Sequence, residues 1–521
     1  MSVDVARPRT VRSGLVVLVL LGQMAVAMLV TAVGQTPTID EPVYAGTAVT
    51  YLEWHSLRYN PEHPPLGKLI IAAGLSIARP QLDPGFRGDQ TELGRHVLYE
   101  SGNDPGLLML LARLPVMLLT LLFGVVVFVF ARDLTNPVGA VLALTVYAFD
   151  PDVITHGSLA TLDVPAAGFL LTAVWLTWRA HRSRPWTYLA LAGAALGAAL
   201  AVRASVLPAV AVVLILARRR FWVVGAVATA VVWLSYLAVD PGLSWTPPPD
   251  LPDVHGLRGV LVDLLPFPQP YRDGMRIQFG FEDNTFSGFL FGHRYVGSRW
   301  YYLPVALLVK TPLALLVVWA ASAVAMLVVP RLRSAAGYVL AAPALLLVVS
   351  MTGARNYGTR YVVCLPIFLA VAVAALTVVG RRWVAPAAGT LAALVAASSL
   401  AAFPYYLPYA NEAFGGPART HLYLHDSNVD WGQDLGRLAR HLRTRYPGEP
   451  VWLVYKGAGV PSAYGISAGD PLRVPSSEVH GLLVVSDSAV AKATGRLSGL
   501  LATSGEPIDE VGHSMSIYRR R

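Results

Sequence analysis

Apolar runs of about twenty residues recur from Gly14 to Phe403, separated by polar breaks of which two are long. Runs of that length match the hydrocarbon core of a bilayer and predict membrane-spanning helices. The pattern gives about eleven spans, over 14–33, 106–130, 137–150, 157–178, 187–202, 204–217, 221–240, 301–329, 336–351, 360–379 and 383–403. The 137–150 and 157–178 runs, and the pair split at Arg203, are short enough for half-spans or tilted helices. From about Pro408 the pattern changes. Asp434–Tyr446 has amphipathic helical spacing, Pro450–Tyr455 and Gly481–Ser486 read as strands, Ala489–Leu501 as a helix and Ser514–Tyr518 as a closing strand. The fold class predicted is a mainly α polytopic membrane protein. Residues 1–407 form its transmembrane domain and 408–521 a small soluble α/β domain.

Charge sets the expected orientation. Arg7, Arg9 and Arg12 precede the first run, and Arg132, the 179–184 arginines, Arg218–Arg220, Arg331, Arg333, Arg381 and Arg382 fall in short loops. The positive-inside rule assigns all of them to the cytoplasm. The opposite, extracytoplasmic face then receives the first loop (35–105), a short loop from Asp150 to His156, the 241–299 loop, the 353–359 turn and the C-terminal domain. The first run exceeds a typical signal-peptide core and is read as an uncleaved anchor in a plasma membrane. Within the first outer loop, Tyr44–Leu57 and Leu66–Ala78 are expected to lie along the membrane surface.

Composition narrows the function classes. Of 521 residues, 55% are hydrophobic and only 14% charged, against about a quarter charged in soluble domains. The net charge of +9 does not indicate nucleic acid, because many of the arginines sit in topology-setting loops. The single cysteine, Cys364, excludes a disulfide framework and a cysteine-based zinc site. No phosphate-cradling glycine loop, serine-hydrolase elbow or HExxH helix occurs in a supporting context.

Chemistry-bearing residues gather in the outer loops. Asp40–Glu41 follows the first span. Thr38 and Glu41 have capping-box spacing, and the alternative is that Asp40 serves as a general base on an acceptor hydroxyl. Lys68 either snorkels to the headgroups or neutralises a lipid-linked phosphate. Glu62 and His63 are carried as donors for a divalent metal, although two adjacent residues are an incomplete set. Asp163 and Arg203 are charges within apolar stretches, and Asp163 is either functional by default or paired with one of two arginines, Arg203 or Arg113. Arg113 has the same character near the start of its span. Arg355 and Arg360, flanking Asn356–Thr359, suit phosphate capture, while Tyr357 and Tyr361 fit a headgroup belt. The tail segment Asp426–Leu435 is dense in capping residues.

Taken in order and sidedness, these pieces resemble the GT-C-class membrane glycosyltransferases. They are similar to the protein O-mannosyltransferase and aminoarabinose-transferase group and to a bacterial phospholipid-carrier-dependent branch. The resemblance rests on Asp40–Glu41, His63–Lys68, Asp163, Asn356–Tyr361 and Asp426–Leu435. It implies a GT-C-like fold and a polyprenyl-phosphate sugar donor, mannose by family analogy. It also implies inverting transfer to an extracytoplasmic protein, glycan or lipid, with Asp40 as catalytic base beside Glu41. Lys68, Arg203, Arg355 and Arg360 are then expected on the donor phosphate, and His63, Asp163 and Tyr361 on the substrate. The scheme fixes no cofactor and leaves a divalent metal at Glu62 and His63 open. The competing classes are a transporter or lipid flippase, which would place charges at mid-membrane and show pseudo-symmetry, and a membrane-anchored binding protein working through its tail.

Overall fold

The computed structural model describes residues 8–521. Arg7 lies outside the described residues, as do the side chains of Arg9 and Arg12. Helices α1 (Pro8–Gly34) and α5 (Pro105–Leu134) bracket the first long loop, which holds α2 (Glu41–Glu53), α3 (Leu66–Leu75) and α4 (Gln90–Arg95). There follow α6 (Pro137–Ala148), α7 (Pro151–Gly157), α8 (Asp163–Ala180), α9 (Pro185–Val202), α10 (Leu207–Ala217) and α11 (Phe221–Val239). A second long loop carries α12 (Gly256–Leu264), α13 (Gln269–Glu282) and the antiparallel hairpin β1 (Ser287–Leu290) and β2 (His293–Val296). The bundle closes with α14 (Tyr302–Lys310), α15 (Leu313–Val328), α16 (Arg333–Ser350), α17 (Cys364–Val373) and α18 (Val384–Ala402).

The mainly helical, polytopic class is as expected, but the count of about eleven spans is not reproduced. By length and composition, 5 helices among the described residues can cross a bilayer, or up to 7 if the bent pairs α6–α7 and α14–α15 each form one span. Prolines and charges make the difference. The 301–329 run turns through 119° between α14 and α15. There Thr311 is extended (ψ 133°), as a residue before proline prefers, and Pro312 has no N–H to continue the ladder. The 157–178 run becomes helical only at Asp163, after a turn through Leu159–Leu162. Arg203 breaks the chain in an extended conformation between α9 and α10. With 11 residues, α10 is about 16 Å long, half a hydrocarbon core.

One end of the bundle is tied by its basic loops. Arg179 pairs with Asp133 at 3.0 Å, the Arg331 guanidinium donates to the Val378 carbonyl at 2.6 Å, and Asn136 donates to Thr377 at 3.0 Å. The candidate functional residues lie at the other end, where the two long loops and the C-terminal region meet.

The C-terminal sheet has strands β3 (Val451–Val454), β4 (Gly481–Ser486), β5 (Asp509–Val511) and β6 (Met515–Arg520) in the order β3-β4-β6-β5. Strands β3 and β4 run parallel and the other pairs antiparallel. Side chains alternate between faces along a strand. Leu482 and Val484 therefore pack under α19 (Leu435–Arg445), while Leu483 and Val485 pack under α21 (Gly495–Ser504). The expected 489–501 helix is divided: α20 (Asp487–Ala491) ends before Gly495, whose φ is +53°. Upstream, Tyr406, Tyr409, Leu424 and Val429 pack into the bundle core instead of onto the sheet. That connecting stretch joins the sheet to the end of the bundle that carries the candidate residues.

Candidate active site

After α1 the chain runs extended through Thr36–Ile39, and two backbone bonds hold it against the tail: Thr36 N–H to the Gln433 carbonyl (2.9 Å) and Ile39 N–H to the Trp431 carbonyl (3.0 Å). Asp40 then occupies the N-cap position of α2, but its side chain makes no capping bond. It accepts instead from Arg360 Nη1 at 2.6 Å and stays 26% exposed. Glu41 is different. Fully buried, it takes the Arg113 guanidinium in a two-point contact of 2.7 and 2.6 Å. Its oxygens also accept from the N–H groups of Thr38 (2.9 Å) and Ala160 (2.8 Å). Burial opposes ionisation here, yet the Arg113 charge and these donors hold the Glu41 carboxyl below its ordinary range. Both oxygens being occupied, Glu41 is a strut beside Asp40 and not a free base. Half of the expected capping box is present, since Glu41 reaches back to the Thr38 N–H.

The Asn60–Lys68 segment folds into a turn around its own lysine. Buried Lys68 donates to the Asn60 carbonyl (2.6 Å), the Asn60 side chain (3.2 Å) and the His63 carbonyl (2.7 Å). All three ammonium hydrogens are thus consumed, and burial lowers its pKa to about 7. Lys68 is therefore a prop for this turn, not the phosphate contact expected of it. Glu62 accepts from Asn60 (2.8 Å) and Gln90 (2.9 Å). Among the described residues no group of three or more His, Cys, Asp or Glu side chains is arranged to hold a metal ion. Glu62 and His63 alone do not fit one, which corrects the metal expectation. His63 lies edge-on to Tyr44, 5.8 Å between ring centres. Burial, then the fields of Arg203, Lys68, Arg355 and Arg360, push its pKa well down.

Asp163, the first residue of α8, pairs with Arg203 at the α9–α10 break. The Tyr361 ring lies 6.0 Å from the Arg203 guanidinium and 5.1 Å from that of Arg360. These four side chains rim a crevice of about 50 Å³, otherwise lined largely by Ala166, Ala167, Leu170, Val206, Leu346 and Val363. Arg355 pairs with Glu282 (3.2 Å) and donates to Gln278 (3.1 Å). Gln278 in turn donates to the Glu62 carbonyl at 3.2 Å. Glu62 borders a larger open cleft of about 1190 Å³ between the two long loops, walled by Tyr59, Phe281 and Pro247–Pro249.

Several buried donors here have no partner, including Arg360 Nε, Arg355 Nε and Thr359 Oγ1. Buried N–H groups are almost always satisfied, so these donors are open to a further acceptor, a water or an anion. Three contributors were missed from sequence. Lys310 ends α14 and donates to the carbonyls of Leu407 (2.6 Å) and Asn428 (3.1 Å), 3.7 Å from Asp152. Its signal was a lysine inside the apolar 301–329 run. Asp152 sits beside it, in the buried helix α7. Trp431, 1% exposed, lies beneath the Arg360 guanidinium at 4.4 Å.

Residues 17–238, less than half of the chain, match the family model described as dolichyl-phosphate-mannose-protein mannosyltransferase. No curated protein matches the chain. Among solved structures, ArnT from Cupriavidus metallidurans bound to undecaprenyl phosphate superposes with a TM-score of 0.51 at 15% identity, covering 96% of this chain and 97% of that one. The apo form of the same protein gives a TM-score of 0.49 at 14% identity over the same shares. The S. cerevisiae protein O-mannosyltransferase Pmt1-Pmt2 complex gives 0.33 at 19% identity, over 46% of this chain and 33% of that one. The fold is that of ArnT, and residues 17–238 are similar to the mannosyltransferase family model.

Proposed function

We propose that the protein transfers a sugar, with inversion, from a polyprenyl-phosphate donor to an acceptor hydroxyl outside the cytoplasm. The observation that carries this reading is the unpartnered Nε of Arg360 beside Arg203 and an apolar crevice. An anion tethered to a hydrocarbon chain satisfies both surfaces at once, whereas a nucleotide sugar satisfies only the first. The family model's description and the lipid phosphate bound to ArnT agree with that donor class.

Arg203 and Arg360 stabilise charge growing on the departing phosphate, which is acidic enough to need electrostatic help more than a proton. Arg355, half neutralised by Glu282, supports the same phosphate from the α13 side. Asp40 removes the acceptor proton as the new glycosidic bond forms on the face opposite the leaving group. One such carboxylate suits inversion, whereas a retaining enzyme needs two close together. Asp163 holds Arg203, and Glu41 and Lys68 keep the Asp40 and His63 segments in place. His63 and Tyr361 line the sugar's side. The open cleft beside Glu62 gives the acceptor its approach from water.

In this reading the N-terminus and the basic end face the cytoplasm, and residues 408–521 lie outside a bacterial plasma membrane. Mannose is the sugar expected from the family model's description. Purified protein in detergent, supplied with polyprenyl-phosphate mannose, polyprenyl-phosphate pentoses and nucleotide sugars, tests the proposal. Transfer or hydrolysis from a lipid-phosphate donor is expected. Turnover of nucleotide sugars alone would overturn it.

A further inference from the structure

The Asp40–Arg360 pair joins two chain segments 320 residues apart, and one short stretch of the tail grips both. On the Asp40 side, Trp431 and Gln433 accept from the backbone of Ile39 and Thr36. The Thr36 hydroxyl donates to the Gly432 carbonyl (3.2 Å) and accepts from the Leu435 N–H (3.2 Å). On the Arg360 side, the Ser427 hydroxyl donates to the Tyr357 carbonyl (2.8 Å), and the Asn428 side chain accepts from the Thr359 N–H (3.1 Å). The packing is close: a Cβ on Gly358 would meet Ser427 Oγ at 2.1 Å. Between the two grips stands the Trp431 ring, packed with Ile39, Leu159 and Leu407 and facing the Arg360 guanidinium at 4.4 Å. Trp431 itself is fixed by its N–H bond to the Gln433 side chain at 2.7 Å.

We infer that Trp431 is a positioning residue: within the clip formed by residues 427–433 it sets where Arg360 stands between Asp40 and the donor phosphate. This inference rests on the proposed function. A guanidinium held only by a carboxylate swings with it. One that also rests on a fixed aromatic face can turn its free Nε to an arriving phosphate while its carbon stays in place. The sheet-bearing tail is thereby part of the catalytic site, although it contributes no reacting atom.

The test uses full-length Trp431→Phe, Trp431→Leu and Trp431→Ala. Leucine preserves apolar packing but has no π face, whereas phenylalanine keeps one. Loss of the cation–π contact is expected to raise the donor KM roughly 5- to 30-fold in the Leu and Ala proteins. Phenylalanine should recover most of that loss, with the acceptor KM little changed. If leucine restores donor KM as well as phenylalanine does, Trp431 is packing alone and the inference fails. A second readout needs no substrate. Melting temperatures of Trp431→Leu, Arg360→Met and the double variant form a cycle, in which non-additive losses support the contact and additive losses overturn it. Should the wild type turn over no lipid-phosphate sugar, the functional reading fails while this cycle still judges the clip.

Discussion

Replacing Arg113 by methionine tests how the acidic pair is held. The guanidinium makes two bonds to Glu41 and three more, to the carbonyls of Ala32 (2.6 Å), Gln35 (3.0 Å) and Thr36 (3.2 Å). It therefore fixes the end of α1, the extended Thr36–Ile39 segment and α2 at once. Both partners are fully desolvated, with side-chain exposures of 1% and 0%. Removing one member of such a pair leaves an uncompensated charge and costs about 3–5 kcal/mol. Methionine fills most of the volume, so the loss reports charge and hydrogen bonding more than a cavity. Because Asp40 follows the freed segment directly, a displacement of about 1 Å is expected to slow turnover by roughly a hundredfold. Lysine should fall between the two, as it cannot make the forked contact. Thermal unfolding in detergent and initial rates with saturating donor and acceptor measure the two effects. The Glu41→Leu, Arg113→Met double variant should regain part of the stability, since no buried charge remains, but not the rate. An Arg113→Met protein with wild-type melting and wild-type turnover would refute the strut.

Three other outcomes follow from the same geometry. Arg360→Lys should weaken binding of polyprenyl phosphate, measured by competition with the donor, by about tenfold or more, because lysine offers one point charge where arginine offers a fork. Lys68→Met strands the carbonyls of Asn60 and His63, so a loss of about 1–3 kcal/mol in melting experiments is expected, together with a lower rate as His63 loosens. Burial raises the Asp430 carboxyl to about 7. Its folded value then lies above the unfolded one, so stability present below the ordinary carboxylate range drains away as pH rises through about 7. Asp430→Asn should flatten the melting temperature between about pH 5 and 8, and an unchanged slope would contradict that assignment.

Much of this was legible in the chain. Hydrophobic run length identifies a polytopic membrane protein, and the change in pattern near Pro408 marks the sheet-bearing tail. Asp40, His63, Asp163, Arg203, Arg355, Arg360 and Tyr361 stand out as polar groups in or beside apolar segments, and the fold brings them to one end of the bundle. What periodicity cannot read is direction. The Lys310–Pro312 break turns a long apolar run by more than a right angle, and that turn depends on Pro312 and on carbonyls from residues 407 and 428. Nor can local pattern distinguish the two acids. Asp40 and Glu41 are neighbours, yet only the fold delivers Arg113 to one and Arg360 to the other. Lys68 was misjudged for the same reason, since the acceptors that consume it come from the turn's own backbone. Trp431 sits in a run rich in capping residues, and its contact with Arg360 joins positions 71 residues apart.

The central claim is that Asp40 is the base working opposite a lipid phosphate held by arginines. Single-turnover transfer by Asp40→Asn protein, preloaded with polyprenyl-phosphate sugar and mixed with acceptor, tests it most directly. The account predicts donor binding within a few-fold of wild type and a chemical step slowed by about 10²–10⁴. A wild-type rate of transfer in that experiment would contradict it.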